Sequence, residues 1–388
     1  MAQSLRSLPI AVCPSVSRAS VVISSSREAR ALGIKTGMRV YEAMPLCPDL
    51  VLVEAHPDRY TETSRRLLEL LDSYSPLVLP LSIDEAAVDL AGTPAVRRDL
   101  RALGGEVKQR LRDEIGEWLT CSIGFSTNVF LAKQAAELEK PDGLQIIDHT
   151  NIEQVFARLQ LTDLTGISAG NAARLRRAGL TTPLHLLRAS QQTLRRQAFG
   201  SVVGDVWYLQ LHGWETVSFE EAARKTIGHS HVLARPAATS DEVGALMLRL
   251  CDRLGRRLRG EGLVAGRVEL QVRTTDGHRS HGHRRQERIV ATTDIYGLCT
   301  QLWEQMDDHR PLRFMGITLA ELSPAEVDQL NLFGRAQPRS ERVSAVQDQL
   351  RDRFGEGVVK PARLLHREDL APERIAFGRL TSRDGSRR

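Results

Sequence analysis

The chain has 388 residues, 41% of them hydrophobic, with 53 Lys and Arg against 48 Asp and Glu. That length fills more than one core, because single cores rarely grow beyond about 250–300 residues. The net charge of +5 suits ordinary solubility as well as a polyanionic partner. No apolar run approaches the roughly 20 residues of a membrane-spanning helix, and no apolar run followed by a small-residue cleavage site opens the chain. The five cysteines, Cys13, Cys47, Cys121, Cys251 and Cys299, form no CxxC pair, which argues against a thiolate metal site and for free thiols in a reducing compartment. The expectation is a soluble, cytoplasmic protein without a membrane partner.

The first apolar pieces, Ile10–Val12 and Val21–Ile23, precede a short helix over Arg27–Leu32 that Gly33 stops. Asp58 to Tyr74 is helical, with Tyr60, Leu67, Leu71 and Tyr74 on one face. Leu77–Leu81 and Ala86–Leu90 are apolar runs separated by Ser82, Ile83, Asp84 and Glu85, which predicts two short strands around an acidic tip. A charged helix follows over Ala95–Trp118, then a strand (Leu119–Phe125), a helix (Asn128–Leu138) and a strand (Leu144–Ile147). Residues 151–215 read as helical throughout. From Thr226 the pattern becomes strand (Thr226–Leu233), helix (Asp241–Arg259), strands (Val264–Arg273 and His283–Val290), helix (Asp294–Met306) and strand (Leu312–Leu322). That order suits a ferredoxin-like α+β module. A polar tail with one amphipathic helix near Val343–Phe354 completes the chain.

Neighbouring side chains on a regular strand point to opposite faces, so Asp84 and Glu85 converge only on irregular backbone. Such a pair can hold Mg²⁺, which takes carboxylate oxygens together with water and phosphates. A bare Asp-Glu is better explained as a solvated turn; its flanks decide otherwise. Leu81-Ser82-Ile83-Asp84-Glu85-Ala86 resembles the palm signature of the Y-family DNA polymerases. Upstream, Glu28 to Met38 resembles the fingers segment of that family. Downstream, Cys121-Ser122-Ile123-Gly124, Asn128, Ala132-Lys133 and Lys140-Pro141-Asp142-Gly143 resemble the rest of the palm. The likeness, to the bacterial DNA polymerase IV type, runs from about Leu5 to Leu365.

The resemblance implies an α+β multidomain right hand: fingers at residues 8–57, palm at 58–148, a helical thumb at 149–220, a little finger at 224–322 and a tail at 323–388. It implies two-metal nucleotidyl transfer with two Mg²⁺ ions, low fidelity, and synthesis across damaged template. Asp84 and Glu85 match metal-binding carboxylates; Arg30 and Lys140 match cations on the incoming triphosphate, with Ser24 near the same phosphates. Arg27 stands where the family usually has a tyrosine beside the nucleotide. The family also carries a strand with Asp-x-Asp-x-Phe-Phe, whose first aspartate bridges both metals. Here the first acidic residue is Glu28 and the first aromatic is Tyr41, and Leu5 to Pro9 resembles the loop after that strand. The expectation is a palm without its first strand, an exposed sheet edge, and doubtful catalysis.

Leu164-Thr165-Gly166-Ile167-Ser168 with Ala172 to Leu175 looks like a helix-hairpin-helix, whose Gly166 and Ser168 turn aims backbone N–H groups at a phosphate. In the last module, alternation places Val268, Leu270 and Val272 inward and Arg267, Gln271 and Arg273 outward. With His281, His283, Arg284, Arg285 and Arg288 of the next strand they form a candidate basic face for a duplex backbone. His229, His231, His281 and His283 lack the spacing of a metal site. Gln329-Leu330-Asn331-Leu332-Phe333 resembles the peptide with which bacterial polymerases engage the sliding clamp. The partners expected are primer-template DNA, deoxynucleoside triphosphates and the clamp, with the chain a monomer. Two readings follow: an error-prone, clamp-tethered translesion polymerase, or a non-catalytic DNA- and clamp-binding subunit derived from one.

Overall fold

The structure is a computed structural model that describes residues 5–220, 224–306, 310–325, 339–355, 357–365, 367 and 371. The chain divides into two compact units, Met1–Ala55 with Ala223–Arg374, and His56–Ala222 with Ile375–Arg388.

The N-terminal part of the first unit holds β1 (Ile10–Cys13), β2 (Ser24–Ser25), α1 (Arg27–Ala31), α2 (Val40–Ala43) and β3 (Val51–Glu54). Its sheet runs β2-β1-β3, with β1 antiparallel to β2 and parallel to β3. Ala11, Cys13, Val22, Ala29, Ile34, Val40 and Leu50 are its buried centre. The apolar piece Val21–Ile23 precedes the short strand at Ser24–Ser25: Val22 exchanges backbone hydrogen bonds across to Met38 and Gly37, which holds its side chain in the core.

The second unit runs α3 (Pro57–Asp72), β4 (Val78–Pro80), β5 (Ala86–Val88), α4 (Leu100–Arg110), β6 (Ile123–Phe125), α5 (Val129–Leu138), β7 (Leu144–Ile146), α6 (Ile152–Phe156), α7 (Ala169–Arg177), α8 (Pro183–Arg188), α9 (Gln191–Thr193) and α10 (Val203–Leu211). The helix expected over Ala95–Trp118 begins only at Leu100. Pro94 opens a separate turn, and Asp99 caps α4 by accepting from the Ala102 amide at 2.7 Å. Strands β4 and β5 pair antiparallel, and β6 and β7 pair parallel. Among the described residues these remain two separate two-stranded sheets, and β5, β6 and β7 are half-buried along their length.

The helices after β7 share a core with α5. Phe130 and Leu131 lie with Phe156, Leu161, Leu175 and Leu194 in one buried cluster. Trp207 meets Phe130 edge-on at 5.2 Å and stacks on Phe199 at 5.7 Å. Asn128 caps α5 through Oδ1, and its Nδ2 donates to the Gln210 and Trp214 carbonyls at 2.8 and 3.0 Å. One side chain thus starts a helix and ties down the end of α10.

The remainder of the first unit follows the order β8 (Thr226–Ala237), α11 (Ser240–Gly260), β9 (Leu263–Thr274), β10 (Arg279–Ile289), α12 (Thr292–Met306), β11 (Leu312–Pro324) and α13 (Arg339–Phe354). The sheet order is β10-β9-β11-β8, with every neighbouring pair antiparallel. Strands β8 and β9 are therefore parallel with β11 between them, and β10 and β11 parallel with β9 between them. These are two interlocked split β-α-β units. Helices α11 and α12 cover one face over Leu246, Leu250, Leu254, Val268, Leu270, Ile317 and Leu319. Among the described residues of this module, no helix covers the other, open face.

Candidate functional site

Asp84 and Glu85 sit where the β4–β5 hairpin leaves its ladder. The Leu81 and Ser82 amides both donate to the Glu85 carbonyl, at 2.8 and 3.1 Å, which closes a tight acidic loop. Asp84 is exposed, and its Oδ1 accepts from the Ser82 hydroxyl at 2.6 Å. Glu85 is half-buried and faces α5, where Lys133 Nζ lies 2.6 Å from its Oε2. Lys133 is one residue of the Ala132-Lys133 motif, and it stands five residues after the N-cap Asn128 on the same helix.

Lys140 extends from the end of α5 and pairs with Glu137 one turn back. The Lys140–Pro141 bond is cis, and Asp142 after it has a φ of 58°. Lys108 of α4 ties this turn down through Asp142, its Nζ 3.2 Å from Oδ1. The Asp142 turn thus stays anchored while the Lys140 head stays accessible. Gly124 of β6 lies against α5 so closely that a Cβ would collide with the Ala132 carbonyl and the Ala136 amide. The strand and the helix carrying Lys133 therefore pack backbone to backbone.

In the first unit, Ser24, Arg27 and Arg30 are all exposed. Arg27 and Arg30 are three residues apart on α1 and share a face. Ser26 caps the helix, accepting from the Ala29 amide at 3.3 Å and donating to the Leu8 carbonyl at 3.0 Å. Arg27 and Arg30 give this helix two cations on one side, suited to phosphate oxygens.

Gly166 adopts a φ of 86°, and Ser168 precedes α7 with extended backbone. The element before the turn is a single 3₁₀ turn, Leu161–Asp163, so the hairpin is shorter than two full helices. Buried Gln134 of α5 holds it from both sides, accepting from the Thr165 amide at 3.0 Å and donating to the Asp163 carbonyl at 3.1 Å. The first amides of α7 are the donors such a turn offers a phosphate.

On the open sheet face, register places Arg267, Glu269, Gln271 and Arg273 of β9 beside Arg285, His283, His281 and Arg279 of β10. Phe314, Gly316 and Thr318 of β11 and Ser230 and Gly228 of β8 continue the face. The glycines leave a depression there. Arg273 lies over the Phe314 ring at 5.7 Å. Arg284 does not belong to this set: it stands opposite buried Val268, on the side facing the helices, and its Nε is buried without a hydrogen-bond partner. The candidate basic face is also less basic than expected. Arg267 pairs with Glu269 at 2.8 Å, Arg285 pairs with Glu321 at 2.6 Å, and Arg288 is turned to Glu341 at 3.1 Å. Arg279, which sequence reasoning missed, joins Arg273 by pairing register. His229 and His231 point to the helix side while His281 and His283 point to the open face, so the four do not converge.

The segment Gln329, Leu330, Leu332 and Phe333 lies outside the described residues. Among the described residues no helix is long and apolar enough to cross a membrane, and no three His, Cys, Asp or Glu side chains gather as a metal site. The hard oxygens of Asp84 and Glu85 nevertheless fit a Mg²⁺ ion that draws its remaining ligands from water and substrate phosphates.

Residues 1–137 match the impB/mucB/samB family and residues 224–332 its C-terminal domain. DNA polymerase IV of Pelotomaculum thermopropionicum is 33% identical over 87% of this chain and 84% of its own length. DNA polymerase IV of Moorella thermoacetica is 33% identical over 92% of this chain and 90% of its own. This chain belongs to the DNA polymerase IV type of the Y-family. The fold agrees: a Y-family DNA polymerase chimera superposes with a TM-score of 0.70 at 21% identity, covering 83% of this chain and 94% of that one. Membership makes a DNA-directed DNA polymerase the activity class of the chain, with a right-hand α+β architecture and a little finger in its C-terminal half.

Proposed function

We propose that this Y-family chain adds deoxynucleotides to a primer opposite damaged template bases, as an error-prone translesion polymerase working from a sliding clamp. The observation that carries the reading is the acidic loop of Asp84 and Glu85, set against Lys133 of α5 in a chain of this family. Divalent cations, two Mg²⁺ in this reading, supply charge neutralisation at the primer 3′-hydroxyl and the departing pyrophosphate when bound. Asp84 and Glu85 hold them from the protein side. Lys140 and, from the fingers segment, Arg30, Arg27 and Ser24 orient the triphosphate oxygens. The work of the chain is positioning and charge, as phosphoryl transfer requires. The domains are those read above: fingers 8–57, palm 58–148, thumb 149–220, little finger 224–322 and a tail at 323–388.

Primer-template DNA is held by the Gly166–Ser168 turn and by the open face carrying Arg267, Arg273 and Arg285, contacts to backbone phosphates that carry no sequence preference. The monomer is tethered through Gln329, Leu330, Leu332 and Phe333, which raises its local concentration at the primer end. A second reading is a non-catalytic subunit that binds DNA and clamp. It draws on Lys133 occupying Glu85 and on the absence, among the described residues, of a third acidic side chain beside the pair.

Primer extension with Mg²⁺ and four deoxynucleotides separates the two, run on the chain and on Asp84→Ala. Extension by the chain and its loss in the variant is the expected result. Intact primer-template binding with no extension by either protein would instead favour the non-catalytic subunit.

A further inference from the structure

Helix α13 is docked the wrong way round for an amphipathic helix. Val343, Val346, Leu350 and Phe354 recur at spacings of three and four, so they form one stripe. That stripe faces solvent: the four residues are 47%, 53%, 36% and 59% exposed. The polar face is the one turned inward. Glu341 pairs with Arg288 of β10 at 3.1 Å, Asp348 with Arg259 of α11 at 2.6 Å, and Asp352 with Arg256 at 2.8 Å. Arg351 is buried against Asp252 at 3.1 Å and donates to the Val359 carbonyl at 3.0 Å.

The charges beside the stripe are positive. Every acidic side chain of α13 is engaged by an arginine of the module, while Arg339, Arg342 and Arg353 are exposed beside the stripe. Arg353 lies over the Phe354 ring at 5.0 Å. An apolar stripe with an aromatic end and an arginine edge has the composition of a protein-binding surface. It sits on the helix-covered side of the module, away from the open sheet face.

We propose that the solvent face of α13 docks an amphipathic helix of a partner protein, apolar along its centre and acidic along one edge. Charge complementarity selects this occupant. A second copy of the chain would set Arg342 and Arg353 against their own counterparts, and like charges across an interface oppose pairing. A nucleic acid would use the arginines and leave the stripe wet. The ion pairs on the inner face fix the helix in place, so the stripe is presented on a rigid support.

The test is fluorescence anisotropy of the full chain with two labelled peptides, each of about five helical turns with leucines at helical spacing. One carries glutamates beside the leucines and the other carries lysines. The glutamate peptide is expected to bind at least about tenfold more tightly at low salt. Leu350→Ser with Phe354→Ser is expected to abolish that binding while leaving the thermal unfolding midpoint and primer-template affinity unchanged, since both side chains are exposed. Equal binding of the two peptides, or binding untouched by the double substitution, would overturn the proposal. So would self-association in sedimentation, or capture by phosphatidylglycerol-containing vesicles, that the double substitution abolishes while no peptide binds.

Discussion

Lys133 Nζ lies 2.6 Å from Glu85 Oε2, so one carboxylate of the acidic loop already has a cationic partner. Both side chains are about one-third exposed, at 31% and 38%. A pair of that exposure is worth about 0.2–1 kcal/mol. A cation arriving at Glu85 must displace the lysine and forfeit that energy. Lys133→Met is therefore expected to tighten Mn²⁺ binding by about 1.5- to 5-fold in the absence of DNA, read by paramagnetic resonance. Identical affinity in the two proteins would mean that the lysine does not compete.

Gly124 carries a prediction about stability. Its place against α5 leaves no room for a methyl group, because the obstructing atoms are the backbone of Ala132 and Ala136. Backbone cannot step aside as a flexible side chain can. Gly124→Ala is expected to cost about 3 kcal/mol, the upper range for overpacking, measured as a drop in urea midpoint. A midpoint within error of the parent would show that strand and helix can separate at little cost.

What could be read in advance differs between the two strands of the open face. On β9 the buried Val268, Leu270 and Val272 alternate with polar residues, so its phase is written in the sequence. On β10 the run His281 to Arg288 holds no apolar residue, and nothing local says which side chains face out. Only pairing with β9 assigns Arg285 outward and Arg284 inward. Helix α13 misleads for a related reason. Its apolar stripe suggests an inward face, and the ion pairs that reverse it come from residues some ninety positions away. The acidic loop and its flanking strands were legible because a short hairpin depends on local residues. The partner of Glu85, 48 residues later, was not.

That face yields a paired prediction on DNA binding. Arg273→Ala removes an open-face cation and is expected to reduce the salt dependence of primer-template binding by about one counterion. Arg284→Ala lies on the other side and is expected to leave the slope unchanged. The measurement is affinity against salt concentration by anisotropy. A slope lowered by Arg284→Ala and not by Arg273→Ala would reverse the assignment of the face.

The tether is tested by Leu332→Ala with Phe333→Ala, which removes the two apolar anchors of the peptide. Clamp retention in a pull-down is expected to be lost, while affinity for primer-template DNA stays the same. Retention equal to the parent would place the clamp contact elsewhere or remove it.

Asp252 and Arg351 form the most enclosed of the ion pairs that seat α13, at 13% and 3% exposure. Removing only the carboxylate leaves a guanidinium buried with the Val359 carbonyl as its remaining acceptor. Asp252→Ala is therefore expected to destabilise the docking of α13 by about 3–5 kcal/mol. Arg351→Met with Asp252→Leu removes both charges and fills similar volume, so it is expected to recover most of that loss. The exposed pair Arg188–Glu153, at 61% and 60%, provides the contrast: Glu153→Ala should leave stability close to that of the parent. Chemical unfolding of the full chain, with hydrogen exchange across residues 339–354, reads all three. Equal costs for Asp252→Ala and Glu153→Ala would show that the inner face of α13 is wet, and that its ion pairs do not fix the helix.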